Sequence, residues 1–374
     1  MKKVKKLRIG TLFSGIGAFE EALKQLAIPH EIVFACDNGE RYLKQSFEEL
    51  FEKTKHLSNN DRENYIKNVY NKTGKPNLVK TSYFANYDIS EDRWHEDVRF
   101  LDGTQYRDTI DILVGGSPCQ SFSTYGLKRG LEDARGTLFY DYARIIQEAQ
   151  PKVFIYENVK GLLCHDSGKT WNTMREVFDS LDYEIGVPQV LNAKDFNLPQ
   201  SRRRLFVVGI KRSLGVSEFK YPQAQLLTTK STDYLNKDED VPIEYFLPEK
   251  GFKWTTEVHR NKNKARINRD LIGCQTAVQQ YNWSGDFRLM SPEPRHYACE
   301  NVYVGEYNGK PAVVRKLMPE ECLRLMGFEN FKIVVEDKVA YRQAGNSIAV
   351  PVLKAIIQEV LKQIPLGEIY APEK

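Results

Sequence analysis

The stretch LRIGTLFSGIGAFEEALKQLAIPHEIVFACD, residues 7–37, decides the fold. Leu7–Phe13 is a short apolar run of strand type, and Ala18–Leu26 spaces its apolar residues at helical intervals. Glu31–Cys36 is a second apolar run. Between the first strand and the helix stand Gly15 and Gly17, which permit a tight turn and let a ligand approach the backbone. Asp37 ends the second strand, where a dinucleotide-type βαβ unit keeps the carboxylate that takes ribose hydroxyls. NAD, FAD and S-adenosylmethionine all carry such hydroxyls. The glycines fall short of a full G-x-G-x-x-G, so this unit alone leaves the nucleotide open.

Outward from this unit the same alternation continues. Asp111–Val114, Lys152–Tyr156 and Leu205–Ile210 read as strands, Tyr42–Phe51, Leu138–Ala149 and Thr170–Leu181 as helices. Strands alternating with helices predict a mostly parallel α/β sheet. Residues 52–96 are long, polar and weakly patterned, and read as an insertion. From about Arg212 the alternation stops, and short apolar runs are broken by polar residues to about Pro311. Helical patterning returns at Pro319–Met326, with Pro at the helix start, and at Val350–Ile364. The prediction is an α/β domain over 1–212, completed by 335–374, and a smaller irregular domain with its return segment over 213–334.

Length and composition agree with this division. The chain has 374 residues, 41% hydrophobic and 28% charged, as in an ordinary globular enzyme of two domains. No run approaches the roughly 18 apolar residues of a membrane span, and the basic start MKKVKKLRIG lacks the apolar stretch and cleavage site of a signal peptide. The expectation is a cytoplasmic chain with no membrane partner. Six cysteines, at 36, 119, 164, 274, 299 and 322, form no C-x-x-C pair, so neither a zinc ribbon nor a redox motif is indicated. The net charge of +4 is too mild to announce nucleic acid. Its distribution says more: Gly251–Asp270 holds three Lys and three Arg against one Glu and one Asp, with Phe252 and Trp254 among them. Such a stretch suits a phosphate-contacting surface, or else a solvated loop.

Four further segments carry polar residues where packing does not ask for them. In DILVGGSPCQSFSTYG a strand ends in glycines, then Pro118 and Cys119. A cysteine beyond the carboxyl end of a parallel strand lies where α/β ligand sites lie, and a nucleophilic thiol needs that access. In VFIYENVKGLL, Glu157 and Asn158 end an apolar strand at the same edge. In NLPQSRRRLFVVGI, Arg202, Arg203 and Arg204 precede a strand. RKLMPEECLRLMGF and YRQAGNSIAVPV follow, and Gln343, Gly345 and Asn346 introduce the final helix.

Together these blocks resemble the cytosine-5 DNA methyltransferase family. The ordered set is FxGxG, PCQ, ENV, QxRxR, an RxLxPxExxRxMGF-like stretch and GNS, and it spans residues 7 to 353 here. The resemblance implies a Rossmann-like, S-adenosylmethionine-dependent methyltransferase sheet with a smaller target-recognition domain. It implies methyl transfer to C5 of a cytosine in a short double-stranded DNA sequence. Cys119 would add to C6 of the ring, and Glu157 would donate to N3. Arg202 and Arg204 would hold the ring O2 and orient Glu157. The target base must leave the stack to be reached. The segment Ser121–Arg135 resembles the family's mobile catalytic loop, which would close over that base.

The cofactor residues carried over are Phe13, Gly15 and Gly17 at the turn, Asp37 on the ribose, and Asp97 on the adenine amino group. Pro118, Leu138, Asn346 and Ile348 line the same site. A metal is not required, since the sulfonium is already an activated methyl donor. For DNA the resemblance points to Gln120, Ser123 and Tyr125 near the nucleophile. Tyr125 stands where some relatives carry a small polar residue that enters the DNA. In the recognition domain the basic stretch with Lys253 and Arg260 would meet phosphates. Thr276 and Gln279, in GCQTAVQQYNW, would reach the groove.

A NAD-dependent oxidoreductase explains Gly15, Gly17 and Asp37 but neither PCQ nor ENV. A tRNA cytosine-5 methyltransferase is the nearer alternative, but that branch carries Cys-Phe-Thr, and no Cys here precedes Phe. The chain looks like the modification half of a bacterial restriction system, a monomer whose cognate endonuclease is a functional partner.

Overall fold

A computed structural model of the chain describes residues 5–118, 138–257, 265–278, 280, 283 and 285–366. The expected βαβ unit is present as β1 (Leu7–Leu12), α1 (Ala18–Gln25) and β2 (His30–Cys36). The sheet continues with β3 (Trp94–His95), β4 (Ile112–Gly115), β5 (Val153–Val159), β6 (Tyr183–Ile185), β7 (Gln189–Asn192) and β8 (Arg203–Lys211). Among the described residues its order is β3-β2-β1-β4-β5-β8-β6, with β7 also on β8. Strands β3 to β5 pair in parallel, and β8 runs antiparallel to β5 and β6. β4 is buried at every residue and β1 at all but one. Parallel strands covered on both faces read as continuous apolar runs, which is why they were legible. The strand order reverses between β1 and β4, and open α/β sheets bind ligands beyond the carboxyl ends of the strands at such a point.

The helix expected at Tyr42–Phe51 is present as α2 (Phe47–Thr54), and the segment read as an insertion is itself helical, forming α3 (Asn59–Asn71) and α4 (Leu78–Asn86). Ser46, Ser58 and Asn77 cap these helices, each accepting a backbone N–H three residues on, at 3.2, 3.2 and 3.0 Å. The helix expected from Tyr42 therefore starts only at Phe47. Two further helices, α5 (Leu138–Ala149) and α6 (Lys169–Asp179), cover the sheet. Phe139, Tyr142, Ile146 and Phe178 bury against Leu12, Leu113, Phe154 and Tyr156. Asp111, just before β4, is fully buried and pairs with Arg8 Nη2 at 3.1 Å and Lys152 Nζ at 2.9 Å. Burial raises its carboxyl, but Arg8 and Lys152 outweigh burial and hold it below the ordinary carboxylate range.

The chain forms two compact units. One comprises Met1–Leu191, Arg203–Gln223 and Leu353–Lys374; the other comprises Asn192–Arg202 and Ala224–Val352. This division departs from the expected 1–212 and 213–334, with return at 335. Hydrogen bonds give the reason. Gln200 Nε2 donates to Leu325 O at 2.7 Å, and Arg202 Nη2 to Gly345 O at 3.0 Å, so 192–202 and 335–352 sit with the second unit. Tyr221 Oη donates to Phe206 O and accepts from Val208 N, both at 3.1 Å, which keeps its neighbourhood in the first.

The second unit is less irregular than its sequence suggests. It contains β9 (Arg266–Ile267), β10 (Asp286–Met290), β11 (Gly305–Tyr307) and β12 (Lys310–Lys316), in the order β11-β12-β10-β9. Helices α7 (Glu249–Thr256), α8 (Pro294–Tyr297), α9 (Pro319–Arg324) and α10 (Asp337–Asn346) flank them, and α11 (Val350–Gln363) follows. The stretch Asp337–Gln363 is long and apolar enough to pass for a membrane span, but 56% of its apolar window is buried inside the protein. In the RKLMPEE block Arg315 and Glu321 are both fully buried and pair through two contacts of 2.9 and 3.0 Å. Glu321 also accepts from Met318 N at 2.7 Å and Asn236 N at 2.9 Å.

Two stability predictions follow from these buried ions. Glu321→Ala leaves the buried Arg315 guanidinium with only Asp238 Oδ1, 3.2 Å from Nε and Nη2, and the Lys316 carbonyl, and removes the acceptor of Met318 N and Asn236 N; it is expected to cost about 3 kcal/mol in urea unfolding. A loss within experimental error would show that Asp238 alone holds Arg315 adequately. Asp111 is held below its unfolded value of about 3.9, so its contribution is present above that pH and is lost as pH falls through the folded value. Asp111→Asn should lower the melting temperature at pH 7, and the gap to the parent should close on acidification. A gap that is the same at pH 7 and pH 3 would contradict this.

Candidate active site

The first turn of the site follows β1. Phe13 and Gly15 adopt left-handed backbone, at φ 53° and 54°, and Gly17 does so at φ 79° as the N-cap of α1. Only glycine fits at 17, because a Cβ there would stand 2.2 Å from the Tyr87 ring. Ser14 ties this turn to β2: its Oγ accepts from Cys36 N at 3.0 Å. Asp37, beyond β2, accepts from Gly15 N at 2.9 Å through Oδ2 and from Gly39 N at 2.8 Å through Oδ1. Burial raises its carboxyl, and the two amides oppose that. The structure thus joins the two sequence-predicted elements, the glycine turn and Asp37, by a direct hydrogen bond. Each Asp37 oxygen keeps acceptor capacity for a hydroxyl donor.

Asp97 is placed differently. It is buried and caps a short turn, and its carboxylate accepts from Tyr70 Oη at 2.8 Å and from Arg99 N, Nε and Nη2 at 3.1, 2.9 and 2.6 Å. Those four donors fill the roughly four acceptor positions of a carboxylate. An adenine amino group would have to displace one of them.

The second turn follows β4, beside the first in the sheet: Leu12 pairs with Gly115. Here Gly116 lies against the neighbouring strand end, where a Cβ would meet Glu157 O at 2.5 Å and Glu157 Oε2 at 3.0 Å. Asn158, 3% exposed, donates from Nδ2 to Ser117 O at 2.9 Å and to Tyr156 Oη at 2.7 Å. Ser117 Oγ and Tyr156 Oη are 2.8 Å apart. The backbone leading into Pro118 and Cys119 is therefore held by the Tyr-Glu-Asn strand end. Pro118 is exposed. Cys119, Gln120, Ser123 and Tyr125 lie outside the described residues, as do Arg260 and Gln279.

Glu157 pairs with Arg204, Nε to Oε1 at 3.2 Å, both side chains mostly buried. The antiparallel register explains the pairing. Glu157 lies opposite Phe206 and Val159 opposite Arg204, so Glu157 and Arg204 share one face of the sheet. Arg202 is spent otherwise. It is buried and donates to the carbonyls of Gln275 at 2.9 Å, Gly345 at 3.0 Å and Ser347 at 2.5 Å. Of the two arginines expected to orient Glu157, the structure gives that contact to Arg204. Arg202 staples the loop that carries Thr276 to the GNS segment.

The remaining predicted residues are scattered in character. Leu138 begins α5 and is half-buried, Ile348 is half-buried, and Asn346 and Thr276 are exposed. Lys253 pairs along α7 with Glu249 and lies 5.9 Å from the Tyr303 ring. Sequence reasoning missed Gly116, Ser117 and Tyr156 as parts of the site, and it gave Asn158 no partner. The signal available was their place in the two blocks, SPC and YEN, at adjacent strand ends.

Comparison with known proteins agrees with this geometry. A family model described as C-5 cytosine-specific DNA methylase matches residues 62–362. The chain belongs to that family. It is a DNA cytosine-5 methyltransferase. The Type II methyltransferase M.HpaII of Haemophilus parainfluenzae is 37% identical over 70% of this chain and 74% of its own length. M1.ScrFI of Lactococcus lactis subsp. cremoris, also a Type II methyltransferase, is 36% identical over 79% and 72%. Among solved structures, the Spodoptera frugiperda DNMT2 mutant superposes with a TM-score of 0.66 at 18% identity, covering 95% of this chain and 100% of that one. The S. pombe Dnmt2 methyltransferase gives 0.64 at 20%, covering 96% and 99%. At such identities these two structures speak to fold alone.

Gly116→Ala tests the packing of the two strand ends in the methylase. Its methyl group meets backbone, which cannot swing away, so the Glu157 strand end must shift. We expect kcat on DNA to fall about 100-fold, the cost of a misplacement near 1 Å. Full activity in this variant would show that the two turns move independently.

Proposed function

We propose that the methylase transfers a methyl group from S-adenosylmethionine to C5 of a cytosine within a short, fixed double-stranded DNA sequence. Cys119 is the nucleophile in this reading. The observation that carries it is the strand-end cluster, in which Glu157 on Arg204 abuts the Gly116–Ser117 backbone two residues before Cys119. When bound, the cofactor supplies an activated methyl group. The donor set fits it: a left-handed glycine turn open to a ligand, and an Asp37 carboxylate with acceptor capacity left for ribose hydroxyls.

The chain's own residues do the rest. Cytosine C5 is a poor nucleophile, and adding the Cys119 thiolate to C6 makes the ring enamine-like and C5 reactive. Glu157 delivers a proton to N3 as that bond forms, which stops negative charge from building on the ring. Arg204 fixes the direction of the Glu157 carboxyl. Once C5 carries the methyl group, loss of the C5 proton to a base re-forms the C5–C6 double bond and expels the Cys119 thiolate, and the N3 proton returns to Glu157. The target base reaches these groups by leaving the duplex stack. Residues of the second unit, including the basic segment near Lys253 and Thr276, select the sequence. In this reading the enzyme, similar to Type II methyltransferases, protects host DNA beside an endonuclease that reads the same site.

The test is to incubate the protein with S-adenosylmethionine and plasmid DNA and to map modified cytosines by bisulfite sequencing. We expect 5-methylcytosine at one short sequence, none with Cys119→Ser, and a rate lower by about 10²–10⁴ with Glu157→Gln. An absence of 5-methylcytosine in DNA overturns the reading. Methylation that survives in Cys119→Ser removes that residue from its role.

A further inference from the structure

Helix α4 has no role in the reading above, yet the residues at both its ends contact the proposed cofactor turns. Asn77, 8% exposed, divides its side chain between two tasks. Its Oδ1 caps α4 through Lys80 N at 3.0 Å. Its Nδ2 donates to Asp37 O at 2.8 Å and to Glu96 Oε2 at 3.0 Å. Gly39, at φ 64°, completes the Asp37 turn and lies so close that a Cβ would stand 2.2 Å from Asn77 Oδ1. Glu96 in turn pairs with Arg41, whose Nε donates to Asn38 O at 2.8 Å. The carbonyls of Asp37 and Asn38 are thus both held by side chains.

The other end of α4 holds the first turn. Tyr87, the C-cap of α4, lays its ring against Gly17. Tyr83, fully buried, donates to Glu20 Oε1 at 2.5 Å in the first turn of α1. One short helix therefore grips the glycine turn at its carboxyl end and the Asp37 turn at its amino end.

We propose that α4 forms a fixed cradle for the adenosine end of S-adenosylmethionine, with Asn77 and Tyr87 as positioning residues for it. This inference rests on the cofactor reading above. Asn77 sets the height of the Asp37 carboxylate through the Asp37 carbonyl, and Tyr87 sets the approach of the Gly17 turn by contact alone. Neither residue touches the transferred methyl group, so each acts on cofactor affinity and not on the chemical step.

The experiment measures binding of S-adenosylhomocysteine and of 5′-methylthioadenosine by calorimetry, with kcat at saturating cofactor alongside. Asn77→Ser keeps a good helix cap but is too short to reach Asp37 O. It is expected to weaken both ligands about tenfold, the loss that goes with one net hydrogen bond, and to leave kcat within about twofold. Tyr87→Ala is expected to weaken both in the same way. Tyr87→Phe keeps the ring and is expected to bind as the parent does. If the parent protein binds neither ligand, the cofactor reading itself fails. If the parent binds and Asn77→Ser binds equally well, the cradle is overturned. It is also overturned if S-adenosylhomocysteine weakens while 5′-methylthioadenosine does not. A lower kcat with unchanged affinity likewise overturns it, because that marks a merely structural role.

Discussion

The parallel pairing of β1 with β4 is the constraint on which the rest of the molecule depends. It sets Leu12 beside Gly115, so the two chains leave the sheet side by side. Beyond that point neither backbone has a strand partner, and both must turn. One turn is the left-handed glycine turn over α1, and the other leads to Pro118 and Cys119. β5 adds Glu157 and Asn158 next to the second turn, and β2 adds Asp37 next to the first. Four chemical elements that are scattered over 150 residues of sequence become neighbours through three strand pairings. No side-chain contact needs to bring them together, only to fix them.

How the charged groups are fixed differs with their task. Asp111 and Glu321 are fully buried and each is wrapped by charged and backbone donors, which offset a desolvation cost that one partner would not meet. These groups hold elements in register. The paired arginines of QxRxR show the same division within one motif. Arg202 gives its donors to three backbone carbonyls and is buried structure. Arg204 faces Glu157 across β5 and β8 and keeps that carboxylate oriented. A planar guanidinium can do either, and strand register alone decides which.

Much of the first unit was legible in the sequence. Fully buried parallel strands leave unbroken apolar runs, and α5 was read with both ends as observed because its apolar face packs on that sheet. The family resemblance supplied the roles, and Glu157 with Arg204, and Asp37 with Gly15, are found joined. Three things were not legible. Helices α3 and α4 bury little, chiefly Ile66 and Tyr70 in the first and Ser82 and Tyr83 in the second, so helical periodicity is faint. Their surviving signal was capping, at Ser58 and Asn77, which composition hides. The unit boundary was misplaced because single residues, Gln200 and Arg202, assign 192–202 to the second unit through long-range hydrogen bonds that no local pattern records. The partners of Asn158 depend on strand adjacency, which order along the chain does not give.

Backbone strain links the cradle to the site. Phe13 holds a left-handed conformation that costs a non-glycine residue roughly 1–2 kcal/mol, and Gly15, Gly17 and Gly39 sit in the same region at less cost. Strained backbone persists only where its surroundings over-determine it. At Phe13 that surrounding is the core, against which its ring packs. At Gly17 and Gly39 it is α4, through Tyr87 and Asn77. A turn held in this way has little conformational freedom left to lose when a ligand arrives, and affinity gains by what is not lost. The polar segment that sequence alone would set aside as an insertion therefore does for the turns what the sheet does for the strands.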